Sequence, residues 1–230
     1  MKKNLLHYGL QRSGTNILES LVEKNFKTKF FNSNKSTKHP KCKHFRPYHN
    51  KQVVPVKGYK NDLYFDNFNM FLEKLELKRH VDGILVISKD PYSWFISYNN
   101  WARKCNWPEV GHHYIEEYNL FYTSWMNFSK QDDRILFIRY IDLLLEPENE
   151  LSKIKTIFNL EYKIIPKLTG KAIKQIRKVP QSTAFDNSKT EYYLKKGYLN
   201  YFTNESLKEI NDCLDKSLMK ELKYDMIEKV

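Results

Sequence analysis

The stretch HYGLQRSGTN (residues 7–16) sets Gly9 and Gly14 around a polar turn at the point where an apolar run ends. A glycine turn leading from a strand into a helix offers free backbone N–H groups to an anion, and the helix dipole adds to the attraction. Phosphate loops of nucleotide hydrolases follow their second glycine with Lys and Ser/Thr, for the phosphates and for magnesium. Here Thr15 and Asn16 follow Gly14, so the hydroxyl is kept and the lysine is lost. The cation is instead Arg12, inside the loop and next to Ser13. Such a loop can hold a phosphate and stabilise a leaving oxygen, and it has no evident metal ligand. A purely structural turn would use the same residues.

A second stretch, VISKDPYSWFISY (86–98), places Lys89 at the end of an apolar run and Ser97 eight residues later in the following helix. Together with RSGTN, this pairing resembles the sulfotransferase family that uses 3′-phosphoadenosine 5′-phosphosulfate (PAPS). The resemblance implies that Gly9, Arg12, Ser13, Gly14, Thr15 and Asn16 hold the 5′-phosphosulfate, and that Lys89 and Ser97 hold the 3′-phosphate. Three further stretches match the family in order. ILFIRYIDLLLEPENELSKIKTIFNLE (135–161) would bring Tyr140 near the adenine, STAF (182–185) would add Thr183 and Phe185, and YLKKGYLNYFT (193–203) would bring Lys195, Lys196 and Gly197 to the 3′-phosphate. The match runs in register from about residue 4 to residue 224. It departs at Lys89 and Lys195, where the family's usual arginine is replaced and a bidentate fork becomes a point charge.

Sulfuryl transfer needs in-line attack on sulfur, removal of the acceptor's proton and stabilisation of the departing oxygen. Arg12 and the loop amides suit the last task. For the base, cytosolic members of the family use a histidine in a Lys-x-His strand, and glycan-modifying members use a glutamate. The run KCKHFRPYHNK (41–51) offers His44 as base, because imidazole titrates near neutrality. VKGYK (56–60) offers Lys57 and Tyr59 instead, on a stretch whose spacing to the next strand fits the family better. His44 as a surface histidine in a basic loop is the plain alternative. His112 and His113 read as capping or surface residues at a helix start, and His7 reads as a satisfied core residue. Trp94, Trp101, Trp107 and Trp125 can be read as a stacking platform for sugar rings. Trp94 and Trp101 are seven apart on one helix, which favours core packing for that pair.

The elements that must position these residues follow from periodicity. Residues 4–9, 82–90 and 133–140 are near-continuous apolar runs, as expected of strands covered on both faces. Residues 52–59 form a weaker strand, with Pro55 placing it at an edge or bulge. Helices are expected from about Thr15 to Phe26, from Asp90-Pro91 to Lys104, from His112 to Phe128, and from Pro147 to Phe158. A last helix starts at Thr203-Asn204 and carries Leu207, Ile210, Leu214 and Leu218. The expected fold class is α/β in three layers, a central, mainly parallel sheet flanked by helices, as a P-loop-like sulfotransferase fold and a single domain over residues 1–230.

With 41% hydrophobic residues the chain can bury a real core. Its formal charge of +12 is concentrated: residues 24–61 and 163–178 contain no acidic residue and many lysines. Such stretches favour anionic partners, or they are simply a solvated lysine surface. Three scattered cysteines argue against a disulfide framework and a zinc site, and no segment approaches a membrane span. The chain reads as cytoplasmic and metal-independent. The expected partners are PAPS, its product 3′,5′-ADP and a hydroxyl-bearing acceptor. A saccharide is favoured, while a phenol, alcohol, lipid or protein tyrosine stays open. No motif supports nucleic acid. Two rival readings are a P-loop-type kinase or phosphotransferase using Asp90 for a metal, and a nucleotide- or polyanion-binding protein on a sulfotransferase fold without turnover.

Overall fold

The computed structural model describes residues 2–32, 39–46, 65, 67–77, 80–107, 109, 111–163 and 187–229. The expected strand at 52–59, with Lys57 and Tyr59, lies outside these residues, as do His49, Thr183 and Phe185. Four parallel strands form one sheet in the order β2-β1-β3-β4: β1 (Lys3–Tyr8), β2 (Thr28–Phe30), β3 (Gly83–Ser88) and β4 (Ile135–Arg139). The three apolar runs are therefore strands, as expected, and the three-residue β2 is an addition at the edge beside β1.

The apolar run Ile84–Ile87 of β3 follows from its burial on both faces. Every one of its residues is buried, and successive side chains enter two separate cores. Ile84 and Val86 join Leu6 and Tyr8 of β1 on one face, packed by Trp94, Tyr118, Trp125 and Leu207. Leu85 and Ile87 join Leu5 on the other, packed by Ile17, Leu18, Leu143 and Ile154. Each fully buried aliphatic or aromatic side chain contributes roughly 1.5–3 kcal/mol relative to exposure. Helices thus cover both faces of the sheet, the three layers that the sequence implies.

On one face lie α3 (Pro91–Lys104) and α4 (Tyr114–Ser129), and on the other α1 (Thr15–Asn25), α5 (Tyr140–Leu145) and α6 (Pro147–Phe158). Asp90 caps α3 by accepting from Ser93 N at 3.0 Å, with Pro91 in its first turn. His113 caps α4 in a reciprocal capping box with Glu116, so this histidine is a cap, as the sequence suggests. The expected last helix is two. α8 (Asn204–Cys213) ends at Leu214, and Asp215 caps a new start at α9 (Lys216–Glu221) by accepting from Ser217 N and Leu218 N. Apolar spacing continues across this break, which is why periodicity alone misses it. α2 (Phe68–Leu75), α5 and α7 (Asn187–Leu194) are also additions to the sequence reading.

The connections decide where the site lies. From β1 the chain returns through α1 to β2 on one side, whereas β3 pairs with β1 on the other. Ligands of open parallel sheets bind at such a switch point, outside the carboxyl ends of the strands. The loop after β1 and Lys89 after β3 are at these neighbouring ends.

Candidate active site

The loop after β1 keeps its shape through two left-handed residues, Arg12 at φ 72 and Gly14 at φ 102. A Cβ on Gly14 would sit 2.5 Å from the Tyr140 ring, and one on Gly9 would sit 2.5 Å from Ser13 Oγ and 2.9 Å from the Ile87 carbonyl. Both glycines are therefore required by close packing, and Gly14 also by its left-handed backbone. Gly14 is the N-cap of α1, no side chain caps the helix, and its first turn holds no acid. The Ile17 and Leu18 N–H groups close on Gly14 O, and no side chain caps those of Thr15 and Asn16, which can meet an incoming anion. Ser13 is fully buried beneath the loop, whereas Arg12 is exposed, its guanidinium 5.2 Å from the centre of the Trp101 ring.

Residues 39–46 run alongside the loop and bring His44 to it. Gly9 N donates to Lys43 O at 3.0 Å, and His44 Nδ1 lies 2.8 Å from Gly9 O. A carbonyl only accepts, so Nδ1 carries the proton and Nε2 keeps the lone pair. Burial lowers the His44 pKa to about 4; the Gly9 carbonyl opposes this, and Lys43, His7 and Arg46 add to it. The imidazole is neutral at physiological pH. Lys43 is buried and donates to Asn16 Oδ1 at 2.7 Å and Glu19 Oε2 at 2.8 Å. Lys41 instead turns away, towards Glu76 O at 3.4 Å. His7 is a core residue as read, with Nε2 3.4 Å from Glu19 Oε2, but it is not the satisfied one expected: neither buried ring nitrogen makes a hydrogen bond of good geometry among the described residues.

Lys89 leaves the end of β3 fully enclosed and donates to Ser97 Oγ at 2.8 Å, joining the two residues that the sequence pairs. Its ammonium lies 5.0 Å from the Tyr193 ring centre and 5.6 Å from that of Tyr140. Burial lowers the Lys89 pKa to about 7; Arg12 and Lys189 push the same way, against Asp90. Asp90 itself, raised to about 6 by burial, serves as a helix cap.

These pieces share one cleft of about 530 Å³, lined by Arg12, Gly14, Thr15, Asn16, His44, Lys89, Ser97 and Tyr140 together with Gln11, Trp101, Trp107, Lys189 and Tyr193. Lys89, Tyr140 and Tyr193 divide it from a smaller cavity of about 220 Å³ that also holds Lys196, Arg139 and Tyr198.

A family model for the sulfotransferase domain matches residues 2–230. The chain belongs to the sulfotransferase family. A comparison with curated protein sequences finds no match. Among solved structures, similar folds include mouse sulfotransferase SULT7A1 complexed with PAP, at 13% identity, TM-score 0.49, and 96% and 88% coverage of this chain and that one. Retinol dehydratase with retinol and PAP follows at 14% identity and TM-score 0.46, and retinol dehydratase with androsterone and inactive cofactor PAP at 16% and 0.46. Each of these covers 96% of this chain and 82% of its own.

This protein is accordingly a PAPS-dependent sulfotransferase. In its cleft, an uncapped helix start with an acid-free first turn and the Lys89–Ser97 pair offer two separate groups of hydrogen-bond donors suited to anions. Of the basic run at 195–197, Lys196 lines the smaller cavity, whereas Lys195 is exposed and lies 3.7 Å from Glu191. A Cβ on Gly197 would meet the Tyr192 ring at 2.8 Å, so this glycine allows α7 to pack on the turn that follows. Sequence reasoning missed Lys189, Tyr193 and Gln11 in the sulfotransferase cleft; lone residues in a basic or aromatic stretch carry no local signal. The tryptophans divide. Trp94 and Trp125 are core, but Trp101 faces the cleft with Trp107. No helix among the described residues is long and apolar enough to cross a membrane.

Proposed function

We propose that this sulfotransferase, acting as a single domain, transfers a sulfuryl group from PAPS to a saccharide hydroxyl, with His44 as general base. The observation that carries the reading is the His44 tautomer: Nδ1–H is committed to the Gly9 carbonyl, so Nε2 is the proton-accepting atom of a ring lining the cleft with Arg12 and the loop. PAPS supplies the sulfuryl group, whose bond to the 5′-phosphate oxygen breaks as the acceptor oxygen bonds to sulfur. Arg12 and the first-turn amides of α1 would steady the oxygen that departs. Lys89, Ser97 and Lys196 would hold the 3′-phosphate, and Tyr140 and Tyr193 would flank the nucleoside. An anion held on the loop would raise the His44 pKa from about 4 towards neutrality, where a base is most effective.

Trp101 and Trp107 support a saccharide acceptor, since indole faces stack on the apolar faces of pyranose rings and line the same cleft as His44. The basic surface supports one that carries carboxylate or sulfate groups. His44→Ala should lower kcat by about 10²–10⁴-fold while leaving 3′,5′-ADP affinity within a few-fold of wild type. The check is transfer of labelled sulfuryl from PAPS to a panel of uronic-acid saccharides, phenols and steroid alcohols. Wild-type turnover by His44→Ala would move the base elsewhere, to Lys57 or Tyr59 first. Transfer to phenols or steroid alcohols alone would overturn the saccharide assignment.

A further inference from the structure

The segment carrying His44 is tied to the phosphate loop, and the ties end in a buried ion pair. Besides the bonds of Lys43 and His44, Arg46 Nη2 reaches Gln11 Oε1 in the loop at 3.3 Å, and Trp94 Nε1 holds the Gln11 carbonyl at 2.9 Å. Arg46 and Glu117 of α4 are 2% and 1% exposed, with 2.6 Å between their nearest atoms. Tyr98 of α3 accepts from Arg46 at 2.6 Å and donates to Glu117 at 3.0 Å. The other Glu117 oxygen accepts from His112 Nε2 at 2.9 Å. Burial opposes ionisation of Glu117, but Arg46, His112 and Tyr98 outweigh it and hold the carboxyl below its ordinary range.

A buried pair is a weak stabiliser, because apolar residues of similar size often serve a fold as well. This one has a different use. Arg46 is two residues from His44 and touches the loop that holds Arg12, and one of its nitrogens, Nη2, meets Gln11, Tyr98 and Glu117 together. Tyr98 also lies edge-on to Trp107 of the cleft wall, ring centres 5.5 Å apart.

We propose that Arg46, held by Glu117 and Tyr98, is a positioning residue for sulfuryl transfer that sets the separation between the His44 ring and the phosphate loop. This rests on His44 as the base. Misplacement by about 1 Å can cost on the order of 10²-fold in rate. Tyr98→Phe removes one hydroxyl and keeps both charges and the ring, and Arg46→Lys keeps the charge but replaces the planar guanidinium with a compact ammonium. Both should lower kcat about 10–100-fold with the 3′,5′-ADP dissociation constant nearly unchanged. In both, the acid limb of kcat should move up from its wild-type position, as water reaches a His44 ring flanked by Lys43, His7 and Arg46 and lined up with Arg12 and Lys89 across the cleft.

The experiment measures kcat, KM, acid limb, 3′,5′-ADP affinity and melting temperature for these variants beside His44→Ala. Wild-type kcat and acid limb with only a lowered melting temperature would overturn the proposal and leave the pair structural. If Arg46→Lys fails to fold, Tyr98→Phe decides alone. An inactive His44→Ala beside a fully active Tyr98→Phe sinks the positioning role only, whereas a fully active His44→Ala sinks the base and this inference together.

Discussion

At the scale of single residues, Lys89 has the sharpest consequence. Enclosed by Tyr140, Tyr193 and the helix cap, its ammonium has lost most of its hydration, and burial with Arg12 and Lys189 brings its pKa to about 7. A 3′-phosphate binding beside it favours the charged form, so binding takes up a proton above neutral pH. Affinity for 3′,5′-ADP should therefore be greatest below pH 7 and weaken as pH rises, by up to about tenfold per unit between pH 8 and 9. Lys89→Arg should bind more tightly at pH 9 and lose most of this dependence. Calorimetric titration at several pH values, in buffers of differing ionisation enthalpy, reads both the affinity and the proton uptake; a flat profile for wild type would count against it. His44 titrates in the opposite sense. Its neutral form is the active one; the pKa is lowered to about 4 in the free enzyme and raised by a bound donor, so kcat should fall with decreasing pH through a value above 4.

At the scale of elements, the join of β1 to α1 is held from outside by the join of β4 to α5. Gly14 lies at φ 102 against the Tyr140 ring, the first residue of α5. Gly14→Ala must both strain the backbone, which costs about 1 kcal/mol or more for a residue with a Cβ, and push the ring aside. It should lower the melting temperature and weaken 3′,5′-ADP binding at least tenfold. Adding Tyr140→Ala should restore part of the stability, by opening space, but not the binding. Full recovery of binding in the double variant would show that the loop backbone tolerates the alanine.

For the whole molecule, the proposed donor site spans elements that are far apart in the chain. Ligand that meets both the loop after β1 and the Lys89–Ser97 pair after β3 ties the two halves of the sheet together at their carboxyl ends. At about a hundred times its dissociation constant, 3′,5′-ADP should add roughly 2.7 kcal/mol, or roughly 5–10 °C in melting temperature. 5′-AMP, lacking the 3′-phosphate, should do much less, and both Arg12→Ala and Ser97→Ala should blunt the response. Equal shifts with 5′-AMP and 3′,5′-ADP would count against a separate 3′-phosphate site. The +12 charge acts over the same scale: KM for an anionic saccharide should rise with ionic strength while that for a neutral acceptor stays level.

Much of this was legible in one dimension. Three apolar runs, the Asp90-Pro91 helix start, the Pro147–Phe158 helix, the glycine loop after β1 and the pairing of Lys89 with Ser97 rest on preferences that act over a few residues, so the sequence determined them by itself. It also pointed to His44 through residue type alone. The three-residue β2 and the break between α8 and α9 escaped it, since the first is too short to show a period and the second keeps its apolar spacing through Leu214 and Leu218. Only the tertiary structure decided that Trp101 faces the cleft while Trp94 is core, that Arg46 meets Glu117, and that Lys89 is enclosed enough to titrate near neutrality. Those facts depend on which strand ends become neighbours. Hydration and pairing are set by whatever the sheet order brings within a few ångströms, and distance along the chain carries no record of it.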